Sequence, residues 1–152
     1  MYDLEKAYPG RMHAMMGLHP CSVAADYKEV LQSIKQELDK RSFVAIGEIG
    51  MDLYWDKTYR KEQEVAFLTQ VEWAEELDLP IIIHSRETTQ LLIDILKEYG
   101  VGRSKGIFHC FGGSYEEATQ IIDLGFKLGI GGVLTYKKSG LSEVLEKIPS
   151  SH

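Results

Sequence analysis

Apolar and polar positions recur along this chain on two different periods. Short apolar runs stand at Met12 to Gly17, Phe43 to Glu48, Ile81 to His84, Gly106 to Cys110 and Phe126 to Ile130. Each is too brief and too uniformly apolar to leave one face in water, which marks parallel strands covered by helices. Between them the spacing is helical. Tyr27, Val30, Leu31, Ile34 and Leu38 share one face, with Asp26 and Glu29 placed as a capping box. Thr58 to Leu77 carries Val65, Leu68, Val71 and Leu77 on its inner stripe, and Pro80 restarts extended structure. Leu91, Leu92, Ile95 and Tyr99 repeat the scheme, and Gly100 stands where a left-handed cap is needed. Ser114 and Glu117 make a second capping box, with Ile121 and Ile122 facing inward and Gly125 closing the helix. A last amphipathic segment, Leu141, Val144, Leu145 and Ile148, gives way to Pro149-Ser150-Ser151-His152 without a following strand.

This is a βα repeat, and it predicts an α/β fold: one domain over residues 1–152 of about five parallel βα units. An open array of that kind leaves strands unpaired at both edges and invites a homo-oligomer.

Composition adds three constraints. With 44% hydrophobic and 26% charged residues, the 152-residue chain fits a compact globular domain. No apolar run approaches the roughly 20 residues of a membrane span, and the N-terminus lacks the basic start and apolar stretch of a signal peptide. The expectation is a cytoplasmic protein with no membrane partner. Cys21 and Cys110 stand apart from each other and from any CxxC pair, so both are expected as reduced, buried thiols. The formal net charge of -6 opposes broad gripping of duplex nucleic acid. It leaves room for phosphate chemistry at one spot, where a bound divalent cation supplies the positive charge.

Glu48, His84 and His109 each end an apolar run. In a parallel array all strand C-termini emerge on one side, where such folds place their sites. One carboxylate and two imidazoles suit Zn, Mn or Fe. Taken singly, each is as well explained as a hydrogen-bonded residue at a strand end, and spacing alone leaves both readings open.

Five ordered motifs carry a resemblance. Gly17-Leu18-His19-Pro20, Ala45-Ile46-Gly47-Glu48-Ile49-Gly50-Met51-Asp52, Leu79-Pro80-Ile81-Ile82-Ile83-His84-Ser85-Arg86, Phe108-His109-Cys110-Phe111-Gly112-Gly113-Ser114 and Gly129-Ile130-Gly131-Gly132-Val133-Leu134-Thr135-Tyr136-Lys137 resemble successive signatures of the TatD family. The resemblance implies an incomplete TIM-type β/α barrel of the metal-dependent hydrolase superfamily. It also implies a deoxyribonuclease that uses Mg or Mn, with Zn as a further candidate, on DNA or another phosphodiester. In that pattern the Glu48 position bridges two metals at the catalytic centre, and the His84 and His109 positions complete the second. The first metal takes an HxH pair and a late Asp. Neither occurs here: His13, His19, His84, His109 and His152 include no pair spaced by one residue. The chain therefore resembles an interior portion lacking the first strand and the C-terminal part, for which weak metal binding and little turnover are expected.

Other residues carry two readings each. Arg86 suits a bidentate phosphate clamp or an ion pair with Glu87. His19 resembles a substrate-side histidine of the family, and unaided reads as a loop residue. Asp52 could orient the metal ligands by accepting hydrogen bonds from them, or be a surface turn residue. Lys137 resembles the lysine of the family's closing Gly-rich motif and could meet phosphate, or form a solvated basic pair with Lys138. Gly129, Gly131 and Gly132 fit an anion-binding nest or a tight turn. Cys110 is expected in the core, and His13 inside a strand without function. Two further functions stay open: a noncatalytic module or oligomerising half of a split barrel, and a superfamily hydrolase of small-molecule amides or esters.

Overall fold

The computed structural model describes residues 1–100 and 105–149; Ser150 to His152, where the last segment gives way, lie outside them. Four strands, β1 (Ile46–Asp52), β2 (Ile81–Arg86), β3 (Gly106–Phe108) and β4 (Lys127–Leu128), pair in parallel and in sequence order. Helices fill the intervals: α1 (Tyr2–Ala7), α2 (Tyr27–Lys40), α3 (Arg60–Glu76), α4 (Thr89–Tyr99), α5 (Tyr115–Asp123) and α6 (Leu141–Leu145). Parallel crossovers share one hand, so α3, α4 and α5 cover the same face of the sheet. Against them lie Ile46, Ile49, Met51, Ile81, Ile83 and Phe108, all fully buried and in one cluster with Phe67, Val71, Leu92, Leu96 and Ile121. The arrangement is an open arc of a β/α barrel, as the resemblance implied.

The concave face differs from expectation. Ile82, His84 and Ile107 on that side are only half-buried, so the described strands are fully covered on one face alone. Residues 12–17 do not form a strand: Met16 makes a single parallel bridge to Ile46, and Met12 and Met15 are exposed. β1 begins at Ile46 rather than Phe43 and runs through Glu48 to Asp52, β2 runs past His84 to Arg86, and β4 is confined to Lys127–Leu128. Glu48 and His84 are thus internal to their strands, and His109 lies just beyond β3.

The buried stripe of α3 is Gln63, Ala66, Phe67, Gln70, Val71 and Ala74. Of the predicted stripe only Val71 is buried, while Val65 and Leu77 are exposed. Small alanines let the helix approach the sheet, and two glutamines on the buried side turn the longer aliphatics outward. Asp26 makes no side-chain cap on α2. The other capping box is present in full: Glu117 N–H donates to Ser114 Oγ at 3.2 Å, and Ser114 N–H donates to Glu117 Oε2 at 2.8 Å. Ser114→Ala should lower stability by about 1 kcal/mol, read as a shift in the urea midpoint at unchanged slope. Gly100 caps α4 in the left-handed region with φ 76°, as its position required. Among the described residues no helix is long and apolar enough to cross a membrane.

Candidate metal centre

β1 carries one residue more than β2 across the same rungs. Gly47 pairs with Ile82 and Ile49 pairs with Ile83, which leaves Glu48 as the bulged residue between them. A bulge bends the strand and re-aims the side chain it frees. Two glycines make room for it. A Cβ on Gly47 would stand 2.8 Å from Ile82 Cβ, and one on Gly50 would stand 2.1 Å from the His84 carbonyl oxygen. Gly50 also has φ +136°, a conformation closed to L side chains.

Through this register the Glu48 carboxylate lies over β2, with Oε1 3.3 Å from His84 Nδ1. The far side of that imidazole is fixed, because His84 Nε2 lies 2.9 Å from Asp52 Oδ2. A carboxylate there accepts the Nε2 hydrogen, so the neutral ring leaves its Nδ1 lone pair facing Glu48. Asp52 is 5% exposed. It also accepts from the Tyr54 backbone N–H at 3.0 Å and from the Cys21 thiol at 3.4 Å. Burial works to raise its pKa, but the hydrogen bonds from His84, Tyr54 and Cys21 prevail and hold it below the usual aspartate value.

His19 approaches from the other side. Its Nδ1 accepts the Cys21 backbone N–H at 3.2 Å, so the neutral ring carries its hydrogen on Nε2, which lies 3.9 Å from Glu48 Oε2. Burial and the neighbouring His84 depress its pKa, against the pull of Glu48 and Asp52. His19 is thereby a neutral donor toward the site, whereas His84 is set up as a lone-pair ligand.

One atom fits no protein partner. Glu48 Oε1 is buried and without a hydrogen bond among the described residues. A buried carboxylate oxygen in that state leaves room for an ordered water or a cation, and an Nδ1 lone pair beside it completes a donor pair suited to a divalent metal. The residues present therefore fit the metal that the sequence implied.

His109 is anchored on the same rim, since its backbone N–H donates to Ile83 O at 2.8 Å. Its exposed ring turns instead to Cys110, with Nε2 3.3 Å from Sγ. Among the described residues, the grouping whose ligand atoms lie within 4.8 Å of one another is His19, Cys21 and His84, not Glu48, His84 and His109. Cys21 is the weakest of that set. Burial and its bond to Asp52 raise its pKa and keep it a thiol, while metals bind the thiolate. Both cysteines are exposed rather than buried. Cys110 lies past the end of β3 at φ 50°, so strand alternation does not direct its side chain into the core. His13 is exposed and outside any strand.

Arg86 makes neither an ion pair with Glu87 nor any other among the described residues; its guanidinium lies 4.0 Å from the Tyr54 ring centroid. Lys137 sits in the exposed turn after the 3₁₀ helix Gly132–Thr135, with no recorded bond to the site.

The two buried glutamines of α3 hold the site's backbone. Gln63 accepts from Asp52 N–H at 2.9 Å and donates to Asp52 O at 3.2 Å. Gln70 accepts from Leu18 N–H, next to His19, at 2.6 Å and donates to Leu18 O at 3.4 Å. Sequence reading passed over both, since a glutamine in an amphipathic helix reads as its wet face; their spacing of one heptad alongside Ala66, Phe67 and Ala74 was the available signal. Gln63→Ala would leave both Asp52 backbone groups unpaired and should cost about 1–3 kcal/mol per unsatisfied group, measured by urea unfolding.

Comparison with known proteins identifies the family. The chain matches the family described as TatD related DNase over residues 1–152. It is 39% identical over 140 residues to the uncharacterized metal-dependent hydrolase YabD of Bacillus subtilis, covering 91% of this chain and 55% of that protein. It is 30% identical over 149 residues to the 3'-5' ssDNA/RNA exonuclease TatD of Pantoea ananatis, covering 97% and 57%. The crystal structure of the TatD homologue YjjV from Escherichia coli superposes with a TM-score of 0.84 at 34% identity, covering 96% of this chain and 57% of that one. The chain thus spans about half the length of the curated relatives it matches. A parallel β/α arc with Glu48 and His84 on its concave side and an ordered set of matching motifs make this chain a member of the TatD-related family of metal-dependent hydrolases.

Proposed function

We propose that this site serves metal-dependent hydrolysis of phosphodiester bonds in nucleic acid strands. The observation that supports it most is the Glu48 carboxylate, with a buried oxygen lacking any hydrogen bond, set against the Nδ1 lone pair of His84. A divalent ion held there, Mg or Mn first and Zn as an alternative, would polarise a phosphoryl oxygen and neutralise developing charge. The chain's own residues supply the rest. Asp52 keeps His84 in the ligating tautomer, and Glu48 is the centre's anionic ligand. His19 Nε2–H faces the same carboxylate and is placed to donate to a phosphate oxygen entering beside it. Arg86, Lys137 and His109 are assigned to phosphate contact and to completing the ion's ligands, reached by motion of exposed side chains. The name of the Pantoea relative supports a single-stranded substrate.

The test is release of nucleotides from a labelled single-stranded oligonucleotide by the purified chain, with and without added Mn, Mg or Zn. The expected result is slow metal-dependent release, abolished by chelator and by Glu48→Gln. Absence of release with every metal, or turnover of small amides or esters in its place, overturns the proposal. A second reading rests on the sheet edges. Among the described residues β4 pairs only with β3, and Met16 makes one bridge at the other edge; edge pairing between copies would give a homo-oligomer. Sedimentation velocity decides it, and a monomer at all concentrations removes it.

A further inference from the structure

Tyr54 and Trp55 follow β1 directly and do something no packing requirement explains. Trp55 is 78% exposed and Tyr54 is 48% exposed. An indole left that far in water is an unusual use of a large apolar side chain, which proteins otherwise cover. The two rings are ordered with respect to each other, edge to face with centroids 4.6 Å apart and planes at 90°. Arg86 lies over Tyr54 at 4.0 Å and 5.7 Å from the Trp55 centroid. Its backbone is fixed from below, since it pairs with Asp52 in the sheet and its carbonyl accepts the Leu53 N–H at 3.1 Å. Trp55 also shares a cavity of about 160 Å³ with Cys21 and Asp52, the residue that holds His84.

We infer that Trp55, backed by Tyr54 and Arg86, is a stacking platform for one nucleobase of a single-stranded nucleic acid whose phosphate lies at the Glu48–His84 centre. The inference rests on the phosphodiester reading above and adds to it a position for one base of the substrate. Three features select this occupant. An open indole face offers a base the stacking that is sequence-tolerant and common to single-strand binders, and an adjacent guanidinium adds its cation–π contribution. In a duplex the base faces are already stacked, so the platform discriminates for single strands. The charge of the chain points the same way. A net charge of -6 disfavours holding a strand by broad phosphate neutralisation, which leaves base contacts a larger share of the affinity.

Trp55 can report on itself. The chain has two tryptophans, and replacing the half-buried Trp73 on α3 (Trp73→Phe) leaves Trp55 as the fluorophore. This variant is titrated in chelator with a short oligodeoxyadenylate and, separately, with an abasic strand of equal length. The expected result is quenching by the base-bearing strand and at least about tenfold weaker binding of the abasic one, the effect of losing one stacked base. In the otherwise unchanged chain, anisotropy of a labelled strand should show about a tenfold weaker complex for Trp55→Ala and little change for Trp55→Phe, which keeps a stacking face. Equal quenching by both strands, no quenching, or equal affinities for Trp55→Ala and the parent chain would each overturn the platform. Nucleotide release with metal is scored separately. Quenching without release upholds the platform and removes the hydrolytic reading, whereas release without quenching does the reverse.

Discussion

Gly50→Ala is expected to yield protein that is unfolded or insoluble. Two penalties coincide at this position. Its φ of +136° excludes a side chain, and a Cβ would stand 2.1 Å from the backbone oxygen of His84 on the neighbouring strand. The clashing atom belongs to β2, which is fixed by β1 on one side and β3 on the other, so no side-chain rotation relieves it. Relief needs the two strands to part, which breaks the rungs beside Glu48. The expected cost exceeds about 4 kcal/mol, a large share of the roughly 5–15 kcal/mol that holds a domain folded. Gly125→Ala is the control. That residue also has positive φ, +86°, but nothing stands within 4 Å of its Cβ, so only the backbone penalty of about 1–2 kcal/mol applies. Circular dichroism and soluble yield should separate the two variants clearly, and comparable loss in both would show that the approach of β1 to β2 is looser than described.

Removing the ligands should abolish metal binding at this centre while leaving the fold intact. Glu48→Gln and His84→Ala are each expected to weaken Mn or Zn binding by more than about 100-fold, because altering the partners behind a ligand already costs about 10–100-fold. Asp52→Asn tests that outer effect, since an amide there need not hold Nε2 as the donor, and should fall within the smaller range. Competition with a chromophoric chelator measures all three. Glu48→Gln carries a second sign. It removes a charge whose Oε1 is buried without a hydrogen bond, so the metal-free variant should melt at a higher temperature than the metal-free parent chain. A lower melting temperature would mean that Glu48 serves structure rather than the ion. Metal affinity unchanged in all three variants would move the centre away from these residues.

The parts legible in the sequence were those set by local pattern. Alternation of short apolar runs with helical stripes gave the βα repeat, and Ser114 with Glu117 gave a cap that the structure contains in full. The motifs around Glu48 and His84 led to the right strands. What local pattern lacks is the partner. Whether Gln63 and Gln70 face water or the sheet depends on unpaired backbone groups at Asp52 and Leu18, far away in sequence. The exposure of Cys110 follows from where β3 stops, which its pairing with β4 decides. His109 and Lys137 share a motif order with the family, but ring direction and loop placement are not written in that order. The strand ends were misplaced at Glu48 and His84 because each was set where the apolar run stops, while β1 continues through a residue without a rung to Asp52 and β2 continues to Arg86. Gly47 and Gly50 on either side were the visible trace, since glycine inside a strand signals a bulge or a close approach.

That extra residue divides β1 into two segments of opposite phase. Ile46 and Ile49, three apart, both point into the core, which a regular strand forbids. Deleting one residue between them would restore the regular count with Ile46, Ile49 and Met51 still facing the core, and would remove the bulge that re-aims Glu48 toward His84. The extra residue therefore serves the site alone, since a strand one residue shorter would fill the core with the same side chains. For the site, the number of residues in this stretch of chain is as strict a requirement as their kind.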